Sequence, residues 1–133
     1  MELEMGNVYG SAAVNAVIAC HANQSLSEKE AWKQAIEQLT ASKSSREKGC
    51  PRNAFLGLCY TGWVKGISAR KLDDTSQNGL YAVAAAKILF ENSMSDDLGA
   101  SSLWRKVVGK DKASNGQMQV VLALYKEGLL QRP

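Results

Sequence analysis

The sequence predicts an all-α fold, a compact bundle of about six helices forming one domain over residues 1–133. Three observations predict it. Apolar residues recur at three- and four-residue spacing in separate segments. Serine, asparagine and glycine stand where helix ends fall. No apolar–polar alternation longer than three or four residues marks a strand.

Residues 1–6 read as a loose start, and Asn7 to Asn23 as a largely buried helix whose small side chains permit close helix–helix approach. Ser27 and Glu30 have capping-box spacing and open a second helix. There Ala31, Trp32, Ala35, Ile36 and Leu39 share one face, with Lys29, Lys33, Glu37 and Gln38 opposite. Residues 41–50 read as a polar loop. The stretch Cys50–Ile67, CPRNAFLGLCYTGWVKGI, is the centre of the prediction. Pro51 suits the first position of a helix, which places Cys50 at the N-cap. Phe55, Leu58 and Cys59, with Leu56, Tyr60 and Trp63 beside them, make that helix apolar over more than half its circumference. Gly62 and Gly66 mark its end, since glycine takes the left-handed conformation at little cost.

A second polar connection leads to Asn78, which is placed to cap a buried helix from Leu80 to about Glu91. Ser101 or Ser102 caps a short helix bearing Leu103, Trp104, Val107 and Val108, closed by Gly109. Ser114 and Gln117 repeat the capping-box spacing before a last helix, about Asn115 to Glu127, which buries Met118, Val121, Leu122 and Tyr125. Gly128 closes it, and Leu129-Leu130 folds back.

The two halves echo one another. FLGLCYTGWV at 55–64 aligns with VLALYKEGLL at 121–130, AWKQAI at 31–36 with LWRKVV at 103–108, and AAVNAVIA at 12–19 with AVAAAKIL at 82–89. The expectation is two three-helix half-units, 8–67 and 79–130. CPRNAFLGLC followed by GWVKGI, then LWRKV and QMQVVLALYKEGL, also resembles a family of small bacterial proteins carrying a domain of unknown function, found as standalone chains and as mobile gene-cassette (integron cassette) products. The resemblance runs from about residue 8 onward and brings no activity, cofactor or catalytic residue with it.

Composition bounds the function. A hydrophobic share of 45% and a charged share of 22% belong to an ordinary globular chain. No apolar run reaches the length of a membrane span, and MELEMGN lacks the layout of a signal peptide. Three cysteines without framework spacing point to reduced thiols in the cytoplasm. The net charge is +3, yet Lys43, Arg46, Lys48, Arg52, Lys65, Arg70 and Lys71 face Glu47 alone within residues 43–71. Such a basic middle suits nucleic acid or an acidic partner, or forms solvated loops beside a buried helix.

A second alternative is a cysteine-dependent hydrolase or transferase, its nucleophile Cys50, flanked by Lys48 and Arg52 at a helix start, with His21 as base and Asp73 or Asp74 orienting it. No protease or nucleophile-elbow signature surrounds it. Cys20, His21, Cys50 and Cys59 lack the paired spacing of a zinc site, and no phosphate-binding glycine motif occurs. No metal and no cofactor is expected. The Asp73-Asp74 and Asp96-Asp97 pairs read as turn or cap residues. Helix-turn-helix-like nucleic-acid binding is the alternative, although both candidate recognition helices are mostly apolar and the base-reading face is thin. The leading expectation is a non-catalytic binding module that engages a protein partner or a second copy of itself, with Trp63 either folded back as a lid on the core or, where uncovered, a candidate interface anchor.

Overall fold

The computed structural model describes residues 5–69, 76–91, 99–109 and 115–133. Among them the chain forms seven helices and no strand: α1 (Met5–Ala22), α2 (Glu28–Leu39), α3 (Lys43–Glu47), α4 (Gly49–Tyr60), α5 (Gln77–Glu91), α6 (Ala100–Val108) and α7 (Gln117–Lys126). The fold is all-α, as the periodicity requires. The element beyond the expected six is α3, a short helix inside the polar loop at 41–50. Ser42 starts it by accepting the Ser45 N–H at 3.3 Å.

Helix starts differ from the sequence reading in instructive ways. Ser27 caps α2 as its spacing requires, its hydroxyl accepting the Glu30 N–H at 3.1 Å, while the Glu30 carboxylate accepts from Gln34. α4 begins at Gly49, with Lys48 at the N-cap, so Cys50 and Pro51 lie inside the first turn. Proline is tolerated there because first-turn amides have no intrahelical partner. Ser76, not Asn78, caps α5 by accepting the Gly79 N–H at 3.0 Å. Asn78 instead accepts from Gln117 Nε2 at 2.9 Å and ties α5 to α7. Gly99, rather than a serine, precedes α6, and Gly116 precedes α7. Ser114 lies outside the described residues.

Helix ends follow the glycines. After α4, Gly62 takes φ +86° and the Trp63 N–H reaches back to the Leu58 carbonyl at 3.0 Å. After α7, Gly128 takes φ +72° and the Leu129 N–H reaches the Leu124 carbonyl at 2.9 Å. These are matching Schellman turns. The chains that leave them pair with each other: Val64 and Leu130 form an isolated antiparallel bridge, with Lys65 N–H on the Leu129 carbonyl and Gln131 N–H on the Trp63 carbonyl, both 2.9 Å.

The core gathers around α4 and α7. Phe55, Leu58, Cys59, Val64, Met118, Val121 and Leu124 are fully buried within it. Trp32 of α2 stacks on Phe55 with centroids 5.4 Å apart, and Phe90 of α5 joins Trp63 at 5.9 Å and Tyr125 at 5.6 Å. Two contacts set the helix spacing. A Cβ added at Gly57 of α4 would land on the Cα of Gly79 in α5. One added at Gly10 of α1 would stand 2.9 Å from the Ala123 Cβ and 3.0 Å from the Gln119 carbonyl oxygen of α7.

These contacts separate two roles for glycine. Gly57→Ala drives one backbone off another and is expected to cost about 3 kcal/mol, an overpacking penalty. Gly128→Ala meets nothing within 4 Å and costs only its left-handed backbone, about 1 kcal/mol. Urea denaturation of both variants at one pH checks the order; a Gly57→Ala loss no larger than that of Gly128→Ala would contradict the close approach.

Candidate functional site

The residues singled out by sequence divide between the two ends of α1. At the start of the helix, the Tyr9 hydroxyl donates to the Ser45 carbonyl at 3.4 Å, and the Lys48 ammonium lies 5.9 Å from the Tyr9 ring centroid. Tyr9 and Pro51 also flank Gly116, so the first turn of α4, with Cys50 in it, is at this end. At the finish of α1, His21 Nε2 is 2.7 Å from the Lys65 carbonyl oxygen, which accepts its proton, and the ring packs on Gly66. Gly66, at φ +78°, has room for no side chain there. Tyr9 and His21 are separated by about 18 Å of helix, at 1.5 Å rise per residue. The structure therefore does not bring Cys50 and His21 together, and Asp73 and Asp74 lie outside the described residues. Among the described residues no three histidine, cysteine or acidic side chains converge as metal ligands.

Trp63 is 5% exposed and packed on Phe90, which corrects its reading as an interface anchor. Its apolar area is already consumed by the core, because the Gly62 turn folds it inward. The basic residues are likewise not one surface. Lys65 sits beside His21, Lys48 beside Tyr9, and Arg70 and Lys71 lie outside the described residues.

Lys43, Arg46 and Arg52 do come together. With Lys29 and Lys33 of α2 they line an open groove of about 950 Å³ between α2, α3 and α4. Trp32 and Ile36 lie at its base, nearly buried, and Glu30, Glu37, Glu47 and Asn53 complete the lining. The volume falls within the range of ligand clefts. Arg46 serves the fold, since its Nε donates to the Thr40 carbonyl at 2.6 Å and its Nη2 to the Glu37 carbonyl at 2.8 Å. Its fork thus satisfies orphan carbonyls at the end of α2 and fixes α3 against that helix. Lys29, Lys33, Lys43 and Arg52 make no ion pair or hydrogen bond with another described residue. The Trp32 indole Nε1 is a buried donor without an acceptor.

Sequence reasoning missed Lys29 and Lys33, because they fall on the polar face of an amphipathic helix outside the basic 43–71 region. The signal available was their spacing of one helical turn, which puts them on the same side as Glu37.

Two measurements follow. Arg46→Lys keeps the charge but loses the planar fork, so folding stability should fall by about 2 kcal/mol, the scale of hydrogen bonds made by a charged donor; an unchanged urea midpoint would contradict the capping role. The Cys20 thiol is pushed above its ordinary 9.0 by burial and, second, by the nearby Glu28 carboxylate. The unfolded thiol then ionises at lower pH than the folded one. Its contribution to stability is complete below pH 9.0 and is lost as pH rises through the folded value. Urea midpoints compared at pH 8 and pH 10 should drop further for the native chain than for Cys20→Ala.

The chain belongs to DUF6979, a family of unknown function, whose model matches residues 5–131. No curated protein and no solved structure matches it. No helix among the described residues is long and apolar enough to cross a membrane.

Proposed function

We propose that this member of DUF6979 is a non-catalytic binding module of the cytoplasm whose interaction face is the groove between α2, α3 and α4. One observation carries the reading: four cations line an open cleft without a partner among the described residues, on a base fixed by Trp32–Phe55 stacking and the Arg46 fork. A surface charge that contributes to the fold is usually paired or packed, whereas these four stand around a fixed base with no partner among the described residues. A rigid cleft also lowers the ordering cost of binding. Three free cysteines, Cys20, Cys50 and Cys59, agree with a reducing compartment.

The same proposal takes the chain as two half-units, 8–67 and 79–130. The matching Schellman turns at Gly62 and Gly128, and the bridge that joins them, support it. The nucleic-acid alternative has weaker support, because Lys65 is not among the residues that line the groove and carboxylates interrupt the basic residues that do.

Panning a random peptide library against the native chain and against Lys33→Ala/Arg52→Ala tests the reading. Enrichment of peptides that the native chain retains and the double variant does not is the expected outcome. Failure to enrich any, together with salt-sensitive binding of random duplex DNA, would replace it with nucleic-acid binding.

A further inference from the structure

We infer that the groove takes an extended acidic peptide segment of a partner protein, an inference that rests on the groove's being the interaction face. The length of the groove, the sign of its charges and their interruption all bear on it. Along α2 the lining runs from Lys29 to Glu37, about 12 Å at 1.5 Å per residue. That length accommodates about four residues of extended chain at ~3.3 Å each. Lys29 and Lys33 stand on this wall, with Lys43 on α3 and Arg52 on α4, so carboxylates at separate points of an extended peptide meet a cation.

Interruption decides against a polyanion. Glu30, Glu37 and Glu47 lie among the same cations. A nucleic acid places a charge on every phosphate and cannot avoid them. A peptide carries charge only at chosen residues and can leave neutral ones opposite the glutamates. Nor is there a platform for a base to stack on, since Trp32 is only 2% exposed and already stacked on Phe55. The other candidates in the molecule do not point to a ligand: Ile18 and Leu80 are isolated exposed residues on different helices.

The test is fluorescence anisotropy on the full chain with a short labelled peptide of alternating glutamate and serine. A lysine–serine peptide and a single-stranded oligonucleotide of equal length serve as comparators. Saturable binding of the glutamate peptide is expected, weakened by added salt and by about tenfold or more in Lys33→Glu/Arg52→Glu. That variant should in turn bind the lysine peptide better than the native chain does. Lys29→Glu, at a solvent-exposed position, provides a second charge reversal should the double variant not fold. Absence of saturable glutamate-peptide binding, binding unaffected by both reversals, or tighter binding of the oligonucleotide at equal salt would each overturn the inference. If library panning meanwhile yields neutral peptides that need Lys33 and Arg52, the groove remains the interaction face and only its acidic preference falls.

Discussion

The contact between Gly57 and Gly79 governs how the rest of the chain is arranged. Two helix backbones touch there with no side chain between them, and the alanines of α5, Ala82, Ala85 and Ala86, are fully buried beyond it. Helices this close gain dispersion contacts along their length, which compensates for the small apolar area that alanine offers. Gly10 against α7 repeats the device on the other side of the core. With α5 drawn onto α4 and α1 onto α7, those two central helices lie side by side. Their glycine-closed ends can then meet, and the Val64–Leu130 bridge joins them through main-chain hydrogen bonds between positions far apart in the chain.

That arrangement leaves α2 and α3 as the outer layer over the start of α4. Trp32 anchors α2 by stacking on Phe55, and Arg46 holds α3 to the last carbonyls of α2. The outer layer thus has a packed side and an open side. The open side is the groove. Its walls are fixed by the Trp32–Phe55 stack and the Arg46 fork, so the same helices can be stable while Lys33, Lys43 and Arg52 have no partner among the described residues.

Much of this was legible in the sequence because it depends on local pattern. The periodicity of Ala31, Trp32, Ala35 and Ile36, the Ser27 cap and the glycines at 62, 109 and 128 each constrain a few neighbouring residues, and each appears as the pattern requires. The short helix α3 was not legible: five residues are too few for a periodic signal, and its stability comes from Arg46 reaching back to Glu37 and Thr40. Asn78 illustrates the same limit. Its position before an apolar run reads as a cap, yet a long-range partner, Gln117, claims the side chain while Ser76 caps the helix locally. Trp63 reads alike as lid or anchor from sequence, since only the direction of the turn at Gly62 decides which.

The basic residues show most plainly why a site need not follow linear order. Charge counted along the chain gathers Lys43 through Lys71 into one region, but α4 runs through that region and carries its two ends apart by the length of a helix. Lys65 is thereby placed with His21, while Lys29 and Lys33, outside the region, are brought beside Lys43 and Arg52. The fold also inserts Glu30, Glu37 and Glu47 among them. What reads in sequence as a basic stretch suited to nucleic acid or an acidic partner, or as solvated loops, becomes a short cleft with cations at separate points and carboxylates between. Coulombic attraction at such spacing distinguishes ligands by where their charges sit, not by how many they carry. On the reading proposed above, the groove selects for pattern, which a peptide side-chain sequence can supply and a uniform phosphate backbone cannot.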